Sequence, residues 1–387
     1  PDDVKARVLI GIAAIEDEKS LHDDAIEHAR RGLALLGKSG VEVAPTVAKA
    51  NYVIAHSLFA LGRSAEAETV LQESLLRDRA ALGPQSDAVA DSLVQLGNVY
   101  GGDFRFEESE RAFREAIAAF TANYGEDSYH VAHVLNELSN MLSDKGDMRG
   151  AEEALRQSLG IRLRTVGPDH RDTLIVRHNL LTLLESEGRI DEALPERLEL
   201  TRRVAGSGRL HRRDIGSYYL ALGRDQRDVG QFAEAIESIR VSIQAFGETL
   251  GPDSDVAIVA KRSLAHSLAL AGRLDEAERE LREALALQSG REPVNALRVA
   301  LVEVDLADLL LTRQRTAEAA QHARSAAAFF EHGEYSTHSI RRSSLATLAE
   351  TQLASGHPQA ALESANHALE VGRANLPADH FPTRHRC

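Results

Sequence analysis

Apolar residues along this chain recur at intervals of three and four, the period of one helical face, and the pattern itself recurs every 42 residues. In one clear copy the apolar positions are Val259, Ala260, Leu264 and Leu268; past Gly272 they resume as Leu274, Ala277, Leu281 and Ala284. Steps of 42 from Gly272 meet Ser20, Gly62, Phe104, Gly146, Gly188, Gly230, Gln314 and Gly356. Five positions later the same steps give Ala25, Ala67, Ser109, Ala151, Ala193, Ala235, Ala277, Ala319 and Ala361. Eight positions before the turn lie Ile12, Ile54, Leu96, Leu138, Leu180, Leu222, Leu264, Leu306 and Leu348. Nine copies hold this register without an insertion, which chance does not produce.

Each copy predicts two helices. Gly272 stands where a positive φ ends the first helix at little steric cost, and small residues at Ala265 and Ala277 let the two backbones cross closely. The expectation is an all-α chain of about nine helix-turn-helix hairpins. Their frames lie near 6–47, 48–89, 90–131, 132–173, 174–215, 216–257, 258–299, 300–341 and 342–383, with a polar tail at 384–387. Phe104, Gln314 and Ser20, where the turn glycine is absent, and Pro195 in the second helix of the fifth copy predict local irregularity. The basic segment from Gly206 to Arg213 reads either as a hinge or as a variant linker. An end copy exposes one face to water, so the first, with Glu16, Asp17, Glu18 and Lys19, predicts a polar cap.

A leucine followed by a small residue in the first helix, a glycine at the turn and an alanine in the second resembles the tetratricopeptide repeat (TPR) family. The longer period, with linkers such as Leu250-Gly251-Pro252-Asp253-Ser254 and Val166-Gly167-Pro168-Asp169-His170, is similar to the 42-residue kinesin-light-chain-like variety. The resemblance covers about residues 6 to 383. It implies a right-handed superhelical solenoid, a single domain over 1–387, whose first helices line a concave face that binds a peptide segment of a partner.

Composition narrows the function. A net charge of −14 argues against nonspecific nucleic-acid binding, which draws on an excess of lysine and arginine. The one cysteine, Cys387, permits neither an internal disulfide nor a cysteine-based metal site, and a reducing cytoplasm is the natural setting. No apolar run approaches the roughly 18 residues of a membrane span, and the first residues carry no secretory pattern. A start at Pro1, without methionine, suits a segment cut from a longer protein.

Counting back from each turn, the inward positions of the first helices give Lys49, Tyr52, His56 and Phe59, then Gln95 and Asn98. Further copies supply His133, Asn136, Glu137 and Asn140, then His178 and Asn179, then Arg224 and Arg227, then Arg262 and His266. Asparagine suits a helix interior poorly, whereas its amide offers both a donor and an acceptor to the main chain of an extended peptide. In kinesin-light-chain-like repeats asparagines at this location hold cargo peptides, and Asn98, Asn136, Asn140 and Asn179 are similar in position; the alternative is a solvated polar face. Arg224, Arg227, Arg262 and His266 make a positive patch that either takes an acidic side chain or peptide terminus near copies six and seven, or pairs internally with Asp225 or Asp228. Tyr52 and Phe59 read as an anchor pocket or as core.

Sixteen histidines include no H-E-x-x-H pair, and the chain has no phosphate-cradling glycine loop or nucleophile elbow. Glu276, Glu278 and Glu280 read as a solvated face. The expectation is a non-catalytic protein-protein interaction scaffold without cofactor, metal, nucleic acid or membrane partner. The alternatives are the regulatory region of a larger bacterial signalling protein such as a protein kinase, or part of an enzyme whose catalytic domain lies elsewhere.

Overall fold

A computed structural model of the chain describes residues 2–19, 21–36, 44–207, 211–290, 295–331 and 339–374. Ser20, the centre of the basic linker at 208–210 and the polar tail lie outside the described residues. The described residues form eighteen α-helices and no strand. The chain divides into two compact units, Pro1–Arg189 and Ile190–Cys387. The first unit holds α1 (Asp2–Glu18), α2 (His22–Leu36), α3 (Ala44–Ala60), α4 (Ser64–Leu82), α5 (Asp87–Gly102), α6 (Phe106–Tyr124), α7 (Tyr129–Lys145), α8 (Met148–Thr165) and α9 (Arg171–Ser186). The second holds α10 (Ile190–Ser207), α11 (Arg212–Asp228), α12 (Phe232–Leu250), α13 (Asp255–Leu270), α14 (Leu274–Ser289), α15 (Ala296–Thr312), α16 (Thr316–Glu331), α17 (Ser339–Ala354) and α18 (Pro358–Ala374).

Each odd-numbered helix from α1 to α7 and from α11 to α17 packs antiparallel on the helix that follows it. The crossing is closest where the repeat places its small residues: Ala25, Ala67, Ser109, Ala151, Ala193, Ala235, Ala277 and Ala319 are fully buried. Where serine replaces alanine, the Ser109 hydroxyl donates 2.6 Å to the carbonyl of Gly97 on the facing helix, so the extra polar atom is satisfied.

The irregularity expected at Phe104 and Gln314 is absent. Both hold φ of 60°, in the same left-handed region as Gly62 at 74° and Gly272 at 77°. In every one of these turns the next residue donates its backbone N–H five residues back. Arg105 bonds Tyr100 at 2.8 Å and Arg315 bonds Leu310 at 2.9 Å, as Arg273 bonds Leu268 at 2.8 Å. This six-residue closure caps the first helix, and it overrides the side chain's preference. Pro195 likewise leaves α10 continuous from Ile190 to Ser207.

At three turns the next residue also ties successive hairpins together. Arg105 donates to Glu68, Arg189 to Glu152 and Arg315 to Glu278, each at 2.7 Å. Glu278, expected on a solvated face, is therefore a cross-tie between copies, and its side chain is only 12% exposed. The first copy is not the polar cap expected: Val4, Val8, Ile12 and Ile15 lie exposed along α1. Ile54 and Leu96, the counterparts of Ile12, are buried, because in those copies a preceding hairpin covers the position.

Candidate functional site

Successive first helices touch one another within each unit: α1 with α3, α3 with α5 and α5 with α7, then α11 with α13, α13 with α15 and α15 with α17. They build one wall in each unit, and the inward positions of the repeat fall on it.

On the first wall, Tyr52 stacks flat on His56, ring centroids 6.2 Å apart. The Nδ1 of His56 lies 2.8 Å from Asp17 Oδ2. Asp17 also accepts the Ser57 hydroxyl at 2.7 Å and faces His22 Nδ1 at 3.1 Å. Burial works against its charge, but the bonds from Ser57, His56 and His22 outweigh it and hold the carboxyl below the usual range. Phe59, in contrast, packs half-buried against the core, so only Tyr52 of that pair faces outward.

The amides divide into two classes. Asn136 is buried, donates 3.3 Å to Glu137 Oε1 and accepts the amide of Asn179 at 3.0 Å, so α7 and α9 are joined by their own amides. Asn98 is half-buried, Asn140 exposed, and neither has a side-chain hydrogen bond to a described residue. Lys49 and His133 are exposed on the same wall, and His178 is half-buried on α9.

Burial also acts on groups of this wall that water reaches. Tyr52 is 40% exposed, yet burial lifts its phenol, with Asp91, Asp17 and Glu137 adding to the shift. Asp91 is exposed too, and burial lifts its carboxyl, helped by Asp87 and opposed by His130.

On the second wall the arginine patch is largely paired within the chain. Arg262 donates through both Nε and Nη2 to Asp305, the second bond at 3.1 Å. Arg227 pairs with its neighbour Asp228 at 2.7 Å, and Arg224 reaches Ser263 at 3.5 Å. His266 is exposed; desolvation, then the charge of Arg227, pushes its pKa down and favours the neutral ring. Asp225 is fully buried against the equally buried Arg197 of α10.

Four wall carboxylates escaped the sequence reading, although the 42-residue step contains them. From Lys49 the step gives Asp91 and then His133; from His266 it gives Asp308 and then Glu350. Asp305, the partner of Arg262, stands in the column of Asn179. Among the described residues no three potential ligands converge as a metal site, and no helix is long and apolar enough to cross a membrane.

A tetratricopeptide repeat profile matches residues 46–122, 130–195 and 214–289, more than half the chain. The chain belongs to the tetratricopeptide repeat family, and its copies recur every 42 residues. Solved structures show similar folds. The apo quorum sensor NprR from B. thuringiensis is 12% identical, with 96% of this chain and 99% of that one covered at a TM-score of 0.65. A Rap protein complexed with Competence and Sporulation Factor is 14% identical, with 96% and 98% covered at 0.56. BtubC (BKLC) from P. vanneervenii is 19% identical, with 64% and 92% covered at 0.51. A search of curated proteins finds no match.

Proposed function

We propose that the chain is a non-catalytic scaffold whose first-helix walls bind an extended peptide segment of a partner protein. The observation that carries this reading is the pair Asn98 and Asn140. They stand in one repeat column on the first wall, each with an amide that no described residue uses. Unused amides one copy apart suit a bound main chain, which presents a donor and an acceptor at every residue whatever its side chains. Lys49, Tyr52, His56 and His133 flank them in the same unit. Asn136 and Asn179 act as a fixed floor, and His178 lies beside Asn179 in the sequence. The complex of a similarly folded Rap protein with Competence and Sporulation Factor supports the reading.

Selection from a random heptapeptide display library with the full chain tests it. The wild type is expected to enrich a recognisable set, and Asn98→Ala with Asn140→Ala to lose that set while keeping its helical circular dichroism. Undiminished enrichment by the double variant would refute the assignment. Likeness to the quorum sensor NprR favours a second reading, a regulatory part of a larger signalling protein. A chain with one cysteine in 387 residues suits a reducing, cytoplasmic setting.

A further inference from the structure

A cavity of about 300 Å³ opens on the wall of the second unit. Ala265, Leu281 and Leu309 line its apolar part, and Arg262, Asp305 and Asp308 its polar part. Resting on the scaffold reading above and deepening it, we propose that this cavity receives a lysine or arginine side chain of the bound segment. The alkyl stem would lie on the apolar floor and the cationic head on Asp308.

The charges around the cavity select this occupant. Arg262 spends its guanidinium fork on Asp305 and offers an incoming anion little. His266, on the same helix as Arg262, is kept neutral by desolvation and by Arg227. Asp308 accepts the Thr347 hydroxyl of α17 at 2.8 Å, and among the described residues no cation pairs with it. The charge facing it from α17 is Glu350, which adds to the negative field. An anionic group entering here meets Asp305, Asp308 and Glu350, whereas a cation supplies the partner that Asp308 lacks. Long basic side chains suit such a site because their methylene stems cover apolar surface while the head stays polar.

Geometry and titration agree. Asp308 is open to the groove, yet desolvation pushes its pKa up to about 6; Thr347 opposes the shift, and Asp305 and Glu350 add to it. A bound cation favours the ionised carboxylate. Affinity for basic peptides is therefore full above neutral pH and falls as the pH drops through about 6.

The same heptapeptide selection decides the matter. Enrichment of lysine or arginine at one position supports the proposal, and enrichment of aspartate or glutamate overturns it while leaving the scaffold reading intact. Selection of nothing removes both. A selected lysine peptide is then measured by fluorescence anisotropy against the wild type and Asp308→Asn, and again with norleucine in place of its lysine. Each change is expected to weaken binding about tenfold, the scale of one charge-assisted hydrogen bond. Asp308→Asn should also abolish the pH dependence. Equal affinity in either comparison overturns the assignment; the norleucine peptide leaves the protein untouched, so misfolding cannot mimic its result.

Discussion

At Phe104 and Gln314 the backbone holds φ of 60° with a β-carbon present, a conformation that costs roughly 1–2 kcal/mol in an L-residue. The Phe104 ring is 77% exposed and meets Phe106 only edge-on, so its removal opens no cavity. Phe104→Gly and Gln314→Gly are each expected to raise stability by about 1 kcal/mol, once the added freedom of the unfolded chain is subtracted. The check is a higher urea midpoint at unchanged slope; a lower midpoint would show that the side chain contributes more than its strain. The wall amides differ in the same residue-level way. Asn136→Ala should cost about 1 kcal/mol of stability because it strips Asn179 of its acceptor, whereas Asn140→Ala should cost almost none. Sequence spacing located both amides, but which one is spent inside the fold depends on how α9 meets α7, and no local pattern records that.

Between paired helices, stability turns on the column of small residues that includes Ala55, Gly97, Ser139, Gly223 and Ala265 and is interrupted by Leu181. A β-carbon built on Gly223 would lie 2.4 Å from Ile239 Cγ1 and 3.1 Å from the carbonyl oxygen of Ala235. Gly223→Ala must push α11 off α12 and is expected to cost about 1–3 kcal/mol. Gly11, inside α1, faces open space, and Gly11→Ala should gain about 0.5–1 kcal/mol. Thermal melts of the two variants should move in opposite directions; a shared direction would mean that the crossing tolerates an extra methyl. The helices, the glycine turns and the close crossing were readable because a 42-residue period repeats the same local physics nine times, whereas the regular turns at Phe104 and Gln314 were not. Of the ion pairing on the second wall, only that of Arg227 with its neighbour Asp228 was readable. Arg262 finds Asp305 across 43 residues because α13 packs on α15, and the inward column had to be followed one copy further to reach Asp308.

At the scale of the molecule, each unit carries a core of its own, one running from Ala13 to Leu183 and the other from Leu220 to Ala319. The second unit also encloses Arg197 and Asp225, both 0% exposed, which join α10 to α11. Removing one member strands a buried charge, so Arg197→Met should destabilise that unit by about 3–5 kcal/mol, and Arg197→Met with Asp225→Leu should recover most of the loss. In denaturant the single variant is expected to bring forward the unfolding of Ile190–Cys387 and to leave that of Pro1–Arg189 in place. A uniform shift of both would show that they unfold together.

At three turns the arginine that follows holds a glutamate of the hairpin before it, as Arg105 holds Glu68 and Arg315 holds Glu278, whereas Arg63 and Arg273 hold Glu66 and Glu276 of their own hairpin. Such a clasp is modular: a duplicated copy that carries both residues, as the copies with Arg105 and Glu110 or Arg273 and Glu278 do, would offer a carboxylate to an identical copy placed ahead of it. The length of the wall is thus an inheritable quantity that gene duplication can lengthen or shorten without redesigning any neighbour.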